Sequence, residues 1–238
     1  MRDSTGGARL AGEEIAASRA RSYKRDFWVK ENLKHVRAHY RLRKAARLVN
    51  KIAGSSECDL LDVGCGPATF MTLLNKNIHY YGIDIAIHEP APNLIEADFL
   101  EVPIGFGDRQ FDIVVAQGVF EYVGDLQGQK FAEVASLLKE GGTFIVSYTN
   151  FGHHKAHVFE AFSNVQVISE FRKSLQTYFN IEKSYPASHN WRGGQPTRRS
   201  VMAANMFVNF NIPFFSPTFG VEYFFICSPL SYDAGITK

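Results

Sequence analysis

The stretch that decides the fold is residues 60–70, which read Leu-Leu-Asp-Val-Gly-Cys-Gly-Pro-Ala-Thr-Phe. A short run of strand type leads into a turn with two glycines, Gly64 and Gly66, and a helix is expected to begin after the turn. Glycines there let the backbone approach a ligand closely. In an open parallel sheet such a turn lies at the carboxyl edge of the strands, where small molecules bind. The stretch therefore predicts a ligand site in an α/β fold.

Strand-type and helix-type segments alternate on either side of this turn. Apolar runs of strand type lie at residues 60–63, 79–83, 93–96, 113–116 and 143–148. Helix-like segments lie at 67–75 and 131–139, and the glycines at 141–142 are expected to form the C-cap of the second one. Nearly unbroken apolar strands are typical of a parallel sheet covered on both faces. Further on, we expect a helix at 165–178, a strand at 181–185, a helical patch at 201–209 and a last strand at 221–227. The pattern predicts a doubly wound α/β fold.

The charge is distributed unevenly along the 238 residues, although the net charge is only +2. Residues 1–47 hold 13 Lys and Arg against 5 Asp and Glu, and the remainder holds 13 against 19. An amphipathic helix is expected from Phe27 to a stop at Gly54. Its positive charges surround most of the helix and no RNA-binding module follows, so we predict a solvated face and no nucleic-acid partner, with RNA as the alternative. Residues 1–50 are predicted to form an N-terminal helical cap.

Cysteine content and hydropathy restrict the cellular setting. The three cysteines, Cys58, Cys65 and Cys227, are too few for a disulfide framework or a zinc site. No apolar run approaches the roughly 18 residues of a membrane span, and the first 30 residues lack the apolar stretch of a signal peptide. We therefore predict a cytoplasmic protein without a membrane span.

The glycine turn discriminates between two classes of ligand. A dinucleotide fingerprint requires a third glycine where this chain has Thr69, which counts against NAD and FAD. The turn instead resembles the first motif of the class I S-adenosylmethionine-dependent methyltransferases, and four further pieces in family order extend the resemblance over about residues 58–148. It implies a Rossmann-like sheet of about seven strands with an antiparallel final strand. It further implies S-adenosylmethionine as cofactor, a methyltransferase domain over residues 51–238, and substrate-facing insertions at 151–216.

The resemblance also assigns roles to individual residues. Asp84 follows Gly64 by 20 residues and is expected to accept hydrogen bonds from the ribose hydroxyls. Asp98 is expected to meet the adenine amino group, with Phe99 against the ring and Gln117 near the methionine end. The predicted cofactor-binding residues are Asp62, Gly64, Cys65, Gly66, Asp84, Ile85, Asp98, Phe99 and Gln117.

A segment after the fourth strand, residues 118–123, bears on metal binding. It resembles the corresponding segment of enzymes of ubiquinone and menaquinone biosynthesis, some of which hold a divalent metal with Glu-x-x-Glu-His. The matching positions here are Gly118, Glu121 and Tyr122, so two of the three ligands are missing. Because hard cations need several oxygen ligands, we predict no catalytic metal.

The acceptor side of the site is less well defined by the sequence. Methyl transfer depends mainly on alignment, which can supply roughly 7–11 kcal/mol of the barrier. A hydroxyl acceptor would also benefit from a base, and His153 and His154, after the fifth strand, are the candidates; the alternative is that they are ordinary loop histidines. The candidate substrate-binding residues are Tyr23, Trp28, Tyr40, Tyr122, Tyr148, Asn150, Trp191 and Arg192.

The sequence thus predicts a methyltransferase acting on a small molecule, by O-methylation of a lipophilic or specialised-metabolite intermediate in biosynthesis. Twelve of the 20 phenylalanines lie in residues 151–238, which favours an acceptor with apolar bulk. Three alternatives stay open: N- or C-methylation of a small molecule, an RNA or protein methyltransferase, and a non-catalytic cofactor-binding scaffold. The oligomeric state, a homodimer included, stays open as well.

Overall fold

The computed structural model describes residues 40–101, 103, 105–151, 165–189 and 220–230. Its strands are β1 (Cys58–Val63), β2 (Ile78–Asp84), β3 (Leu94–Glu96), β4 (Phe111–Gln117), β5 (Leu138–Thr149), β6 (Phe179–His189) and β7 (Gly220–Pro229). Its α-helices are α1 (Tyr40–Ala53), α2 (Gln127–Leu137) and α3 (Ile168–Gln176), with short 3₁₀ segments at Thr69–Leu73 and Gly124–Leu126.

The strands form one sheet in the order β3-β2-β1-β4-β5-β7-β6. Strands β1 to β5 are parallel, whereas β7 runs antiparallel to both β5 and β6. The predicted fold class, a Rossmann-like sheet of seven strands with an antiparallel final strand, is confirmed. The strand order reverses between β1 and β4, which places a crevice at their carboxyl ends.

Both faces of the sheet are buried, as the unbroken apolar strands indicate. Ile113 and Val115 of β4 pack in a cluster with Ala45 and Val49 of α1. Their neighbours in β4 point the other way, into a larger cluster with α2 and α3. Three layers result, with helices on either side of the sheet. Because α1 packs into this core and ends only at Ala53, the predicted cap boundary at residue 50 falls inside a helix.

The larger cluster is rich in aromatic rings. Tyr148 stacks on Phe171 with ring centroids 3.8 Å apart, and Phe120 stacks on Phe131 at 4.6 Å. Phe171 also contacts Phe120, Phe131 and Phe225 edge-on or tilted. This aromatic cluster fixes α3 and α2 against β5 and β7.

Two local predictions differ from the structure. The segment after the glycine turn is a five-residue 3₁₀ segment, not a helix over 67–75, because Gly64, Gly66 and Ala68 all have positive φ and turn the chain repeatedly. The predicted glycine C-cap is wrong as well. Helix α2 ends at Leu137, because the buried Leu138 already pairs with Phe111 in the sheet and the glycines lie in an irregular part of β5.

Other predicted segments either are confirmed with shifted ends or lie outside the described residues. Gly54, with φ 58°, terminates α1 as expected. The expected helix at 165–178 is α3, and the strand expected at 181–185 is the longer β6. The patch at 201–209 lies outside the described residues, as do most of the insertions at 151–216. In the described part of the chain, no helix is long and apolar enough to cross a membrane.

Removing the ring of Phe171 tests the aromatic cluster. Phe171 is fully buried, so Phe171→Ala should lower the free energy of unfolding by about 3–5 kcal/mol. Urea unfolding followed by fluorescence measures the change, with the exposed Gln176→Ala of the same helix as the control, expected within about 0.5 kcal/mol of wild type. A loss below about 1 kcal/mol for Phe171→Ala would show that the cluster is not a packed core.

Candidate functional site

A cavity of about 370 Å³ opens at the carboxyl edge of the sheet, where the strand order reverses. Loops that follow β1 to β4, the end of β5 and one residue of α1 form its wall. The lining residues are Arg41, Gly64, Gly66, Ile83, Asp84, Ile85, Ala97, Asp98, Phe99, Leu100, Gln117, Gly118, Val119, Glu121, Tyr122 and Thr149. The site therefore lies where the topology of a doubly wound sheet predicts it.

The glycine turn after β1 is held close to the neighbouring loops. Gly64 and Cys65 donate backbone hydrogen bonds of 2.8 and 3.2 Å to the carbonyl of Ile83. Gly64 has φ 73°, and a Cβ added to it would collide with the Val119 side chain. Glycine is therefore needed at this position for the backbone conformation and for the close approach of the loop after β4.

Asp84, at the end of β2, connects this turn to the next one. Its Oδ2 accepts a hydrogen bond of 2.8 Å from Gly66 N, and its Oδ1 accepts one of 3.0 Å from Ala86 N. Burial raises the pKa of Asp84, and these backbone donors oppose the rise. The carboxylate thus has a fixed orientation in the cavity wall.

Asp62 and Cys65 differ in position from the other predicted cofactor residues. Asp62 is buried behind the turn, where its Oδ2 accepts a hydrogen bond of 2.7 Å from the Tyr80 hydroxyl. Burial raises the pKa of Asp62 to about 7. The Cys65 thiol is also buried, against Gly82. Both side chains support the turn from behind and do not line the cavity, so the structure corrects the expectation of direct side-chain contacts with the cofactor.

One end of the cavity carries the acid and the ring that follow β3. Asp98 is held by a hydrogen bond of 2.8 Å from Leu100 N to its Oδ1. The ring of Phe99 lies edge-on to Phe120, and the Lys130 ammonium nitrogen lies 4.7 Å from its centroid. Asp98 and Phe99 both line the cavity, an acid beside an aromatic ring.

The opposite end, beyond β4, is polar and deeply buried. Glu121 Oε1 accepts hydrogen bonds of 2.9 Å from both the backbone nitrogen and the hydroxyl of Thr149. Burial and, to a smaller extent, the charge of the nearby Glu222 raise the pKa of Glu121 to about 7. Arg41 Nη1 and Ser147 Oγ donate to Glu222 Oε1 at 2.8 and 2.6 Å.

Two buried acceptor oxygens in the cavity wall have no hydrogen-bond partner among the described residues. They are Gln117 Oε1 and Glu121 Oε2. A buried acceptor without a donor costs about 1–3 kcal/mol. The cavity therefore suits a ligand that brings hydrogen-bond donors to the β4 end.

Apart from Asp62 and Cys65, which lie behind the turn, the predicted site residues fall into three groups. Those in the cavity wall are Gly64, Gly66, Asp84, Ile85, Asp98, Phe99, Gln117 and Tyr122. Tyr148 is corrected to a core residue, because its ring stacks on Phe171 and its hydroxyl accepts a hydrogen bond from Gln166 N; Asn150 is buried and does not line the cavity. Tyr23, Trp28, His153, His154, Trp191 and Arg192 lie outside the described residues, as does the side chain of Tyr40.

Sequence reasoning missed the charged residues at the β4 end. Arg41 was one of many basic residues in the N-terminal helix, and Glu121 was considered only as a remnant of a metal site. A signal was present in the last strand, where Glu222 is a lone acid in a run that is otherwise apolar. A buried charge of this kind needs a partner, and a basic residue on a packed helix is a natural one.

The methyltransferase-domain family matches residues 37–183, more than half of the chain. The chain belongs to this family. Among curated proteins, this chain is similar to the malonyl-[acyl-carrier protein] O-methyltransferase of Calditerrivibrio nitroreducens. The two are 26% identical over 148 residues, and the match covers 58% of each chain. The methyltransferase is 27% identical over 135 residues to the ubiquinone biosynthesis O-methyltransferase of Rickettsia bellii, covering 52% of this chain and 55% of the relative. The chain thus spans little more than half the length of these relatives.

A solved structure shares the fold of this methyltransferase. The S-adenosylmethionine-dependent methyltransferase from Archaeoglobus fulgidus superposes with a TM-score of 0.56 at 15% identity, covering 80% of this chain and 94% of that one. The predicted family is confirmed by the family match. Fold and family together support S-adenosylmethionine as the cofactor.

The cavity residues fit that cofactor, which carries ribose hydroxyls, an ammonium group and a sulfonium. Asp84 and Asp98 offer carboxylates at the β2 and β3 ends. The unpaired Gln117 Oε1 can accept a hydrogen bond from an ammonium group. Gly64 and Gly66 line the cavity between these groups, so their backbone lies beside the space that the cofactor would occupy.

A pair of glycine substitutions tests the close approach at the turn. Gly64→Ala should lower the free energy of unfolding more than Gly107→Ala, because both glycines have positive φ but only Gly64 has a neighbour that the methyl group would strike. Urea unfolding measures both variants, and calorimetry should show weaker binding of S-adenosylmethionine only for Gly64→Ala. Equal effects of the two substitutions would mean that backbone strain alone is at work.

The raised pKa of Asp62 predicts a pH-dependent stability. The folded pKa of about 7 lies above the ordinary value of 3.8, so the folded state binds more protons than the unfolded chain between about pH 4 and 7, and stability falls as the pH rises through that window. Asp62→Asn cannot ionise, so its stability relative to wild type should rise by up to about 4 kcal/mol over the window.

Chemical denaturation at several pH values measures this difference, and the other buried acids cancel because both proteins contain them. Tyr80→Phe removes the hydroxyl that lowers the pKa of Asp62, so the window should extend to higher pH in that variant. A difference between wild type and Asp62→Asn that does not change with pH would contradict the raised pKa.

Proposed function

We propose that this methyltransferase transfers a methyl group from S-adenosylmethionine to an oxygen atom of a small, largely apolar molecule. The observation that carries the proposal is the single cavity that joins two different ends. Acids and an aromatic ring follow β2 and β3, and a buried glutamate with an unpaired oxygen follows β4. One end suits the adenosine part of the cofactor, and the other suits the acceptor.

Five cavity residues have a proposed role in binding. Asp84 accepts hydrogen bonds from the ribose hydroxyls, Asp98 meets the adenine amino group, and Phe99 packs on the adenine ring. Gln117 accepts a hydrogen bond from the ammonium group. Arg41, whose guanidinium lines the cavity beside Gly118, suits the carboxylate of the methionine part.

The bound cofactor supplies an electrophilic methyl group on a sulfonium. The protein's task is to align the acceptor with that group and to exclude water, and alignment supplies roughly 7–11 kcal/mol of the barrier. Tyr122 lies in the wall at the acceptor end. Tyr23, Trp28, Tyr40, Trp191 and Arg192 remain proposed substrate contacts, and His153 and His154 remain candidate bases.

Two features support oxygen as the methylated atom and an apolar acceptor. Two curated relatives, a malonyl-[acyl-carrier protein] O-methyltransferase and a ubiquinone biosynthesis O-methyltransferase, are named O-methyltransferases, and the second name also supports a biosynthetic role. Phe171, Phe179, Phe224 and Phe225 belong to the core, and the other phenylalanines of residues 151–238 are the ones that favour a lipophilic molecule. No metal is part of the proposed mechanism.

Cofactor binding at Asp84 tests this proposal. Asp84→Ala should weaken S-adenosylmethionine binding at least tenfold, because the variant loses the ribose contact and the bond that fixes the glycine turn. Isothermal calorimetry measures the affinity. The control is Asp108→Ala, an exposed acid just before β4, at the opposite edge of the sheet, which should bind as wild type does.

Two results would contradict the proposal. Wild-type protein that does not bind S-adenosylmethionine would exclude the function, and unchanged affinity of Asp84→Ala would remove that residue from the ribose role. Transfer of a radiolabelled methyl group to a simple alkylphenol, with the product identified as the ether, would establish O-methylation directly.

A further inference from the structure

Resting on the proposed function, we propose that Glu121 accepts the proton that the acceptor loses as its oxygen is methylated. The acceptor is then a neutral molecule with a hydroxyl group, not a carboxylate. Glu121 is a catalytic residue in this proposal, since it contacts the reacting oxygen through the proton.

The position of Glu121 along the sheet edge is the first support. The strand order β3-β2-β1-β4-β5 places the proposed adenine and ribose contacts over β3 and β2, on one side of the glycine turn. Glu121 follows β4 and bonds to Thr149 at the end of β5, on the other side. A cofactor lying across the strand ends therefore directs its reactive end toward Glu121, where the cavity continues.

The hydrogen bonds of the carboxylate are the second support. Both donors from Thr149 go to Oε1, which fixes the plane of the carboxylate. Glu121 lines the cavity and is only 2% exposed. Its Oε2 is inaccessible to solvent and accepts no hydrogen bond from the described residues. A buried acceptor of this kind is poised for a donor that arrives with a ligand, and a hydroxyl group is such a donor.

The electrostatic surroundings make Glu121 a usable base near neutral pH. Glu222 approaches it from β7, Arg41 from α1 pairs with Glu222, and Tyr148 lies nearby on β5. Burial, with the charge of Glu222, raises the pKa of Glu121 to about 7. A base with its pKa close to the working pH both captures and releases a proton readily.

The same surroundings select against an acidic acceptor. A carboxylate placed against the ionised Glu121 would put like charges together in a buried site, which is unfavourable, and Arg41 in the same wall is already paired with Glu222. A carboxylate also has no proton to lose, so it leaves Glu121 without a role. A neutral hydroxyl meets Oε2 with a hydrogen bond and needs its proton removed.

The proposed step balances in atoms and charge. The bond from oxygen to the methyl carbon forms as the bond from sulfur to that carbon breaks, and the bonding electron pair stays on sulfur. The hydroxyl proton moves to Glu121 Oε2. A sulfonium and a carboxylate become a neutral thioether and a neutral carboxylic acid, and the proton later passes to solvent.

This charge balance gives a signature that does not require turnover. A sulfonium bound close to Glu121 favours the carboxylate form, whereas the neutral thioether of S-adenosylhomocysteine does not. Because the pKa of Glu121 is raised to about 7, part of the unliganded molecules carries a proton on Glu121 at pH 7. Binding of S-adenosylmethionine should release it.

The first experiment counts this proton. Calorimetric titrations at pH 7 in two buffers of different ionisation enthalpy give the number of protons released on binding. Wild type should release more protons than Glu121→Gln when S-adenosylmethionine binds, by a fraction of one proton, and no more than Glu121→Gln when S-adenosylhomocysteine binds. Glu140→Gln, an exposed acid elsewhere on β5, is the matched control and should behave as wild type does.

The second experiment compares two probes of one shape, 4-butylphenol and 4-butylbenzoate, with S-adenosylhomocysteine bound. The phenol should bind wild type at least tenfold more tightly than the benzoate does, and Glu121→Gln should reverse or remove that preference. With S-adenosylmethionine and the phenol, Glu121→Gln should lose 10²-fold or more in kcat and the acidic limb of the pH profile, with little change in KM for the cofactor.

The results that would overturn the proposed function differ from those that would overturn only the role of Glu121. Failure of wild type to bind S-adenosylmethionine or S-adenosylhomocysteine overturns the proposed function. Normal binding of both, with equal proton release in wild type and Glu121→Gln, overturns the role of Glu121 alone. The same conclusion follows if the phenol binds neither protein, or if His153→Ala with His154→Ala removes the acidic limb while Glu121→Gln keeps it.

Discussion

The rest of the site depends on one hydrogen bond between the ends of β1 and β2, which Gly66 N donates to the Asp84 carboxylate. It fixes the glycine turn after β1 against the end of β2, where the backbone of Gly64 also bonds to Ile83. The turn in turn presses against Val119 in the loop after β4. Three loops thus meet around one carboxylate, and the cavity is the space that they enclose.

A second constraint acts at the far end of the cavity, where charge is buried. Glu222 lies close enough to Glu121 for its charge to raise the pKa of Glu121, and Arg41 pairs with Glu222. The Glu121 carboxylate accepts hydrogen bonds from Thr149 at Oε1, whereas its Oε2 is inaccessible to solvent and has no partner among the described residues. A fold that needed only stability would replace such a group with an apolar one, because burying an unpaired charge is costly. Its presence in the cavity wall is better explained by chemistry.

Much of the fold could be predicted because it depends on local patterns. The unbroken apolar strands, the turn of residues 64–66 and the stop at Gly54 all express constraints that act within a few residues. The predicted glycine cap after α2 was wrong because a long-range pairing, Leu138 with Phe111, takes precedence over a local signal. The prediction of a helix after the turn was wrong because of a local conformation: Ala68 adopts a left-handed conformation that its residue type does not indicate.

The candidate site was predictable on its cofactor side and not on its acceptor side. Asp84, Asp98 and Phe99 follow strands that the sequence displays, so their positions along the sheet edge could be inferred. Arg41 and Glu222 are 181 residues apart, and only the antiparallel pairing of β7 with β5 brings the acid to the helix. Tyr148 was assigned to the acceptor because it ends a strand, but the alternation of side chains along β5 turns its ring into the core.

A crystal structure with S-adenosylhomocysteine bound would test the central claim most directly, namely that this cavity aligns a methyl donor with Glu121. The prediction is that the adenine lies against Phe99, the ribose hydroxyls lie within hydrogen-bond distance of Asp84, and the thioether sulfur lies on the β4 side, facing Glu121. A ligand bound in the reverse direction, or outside the cavity, would contradict it.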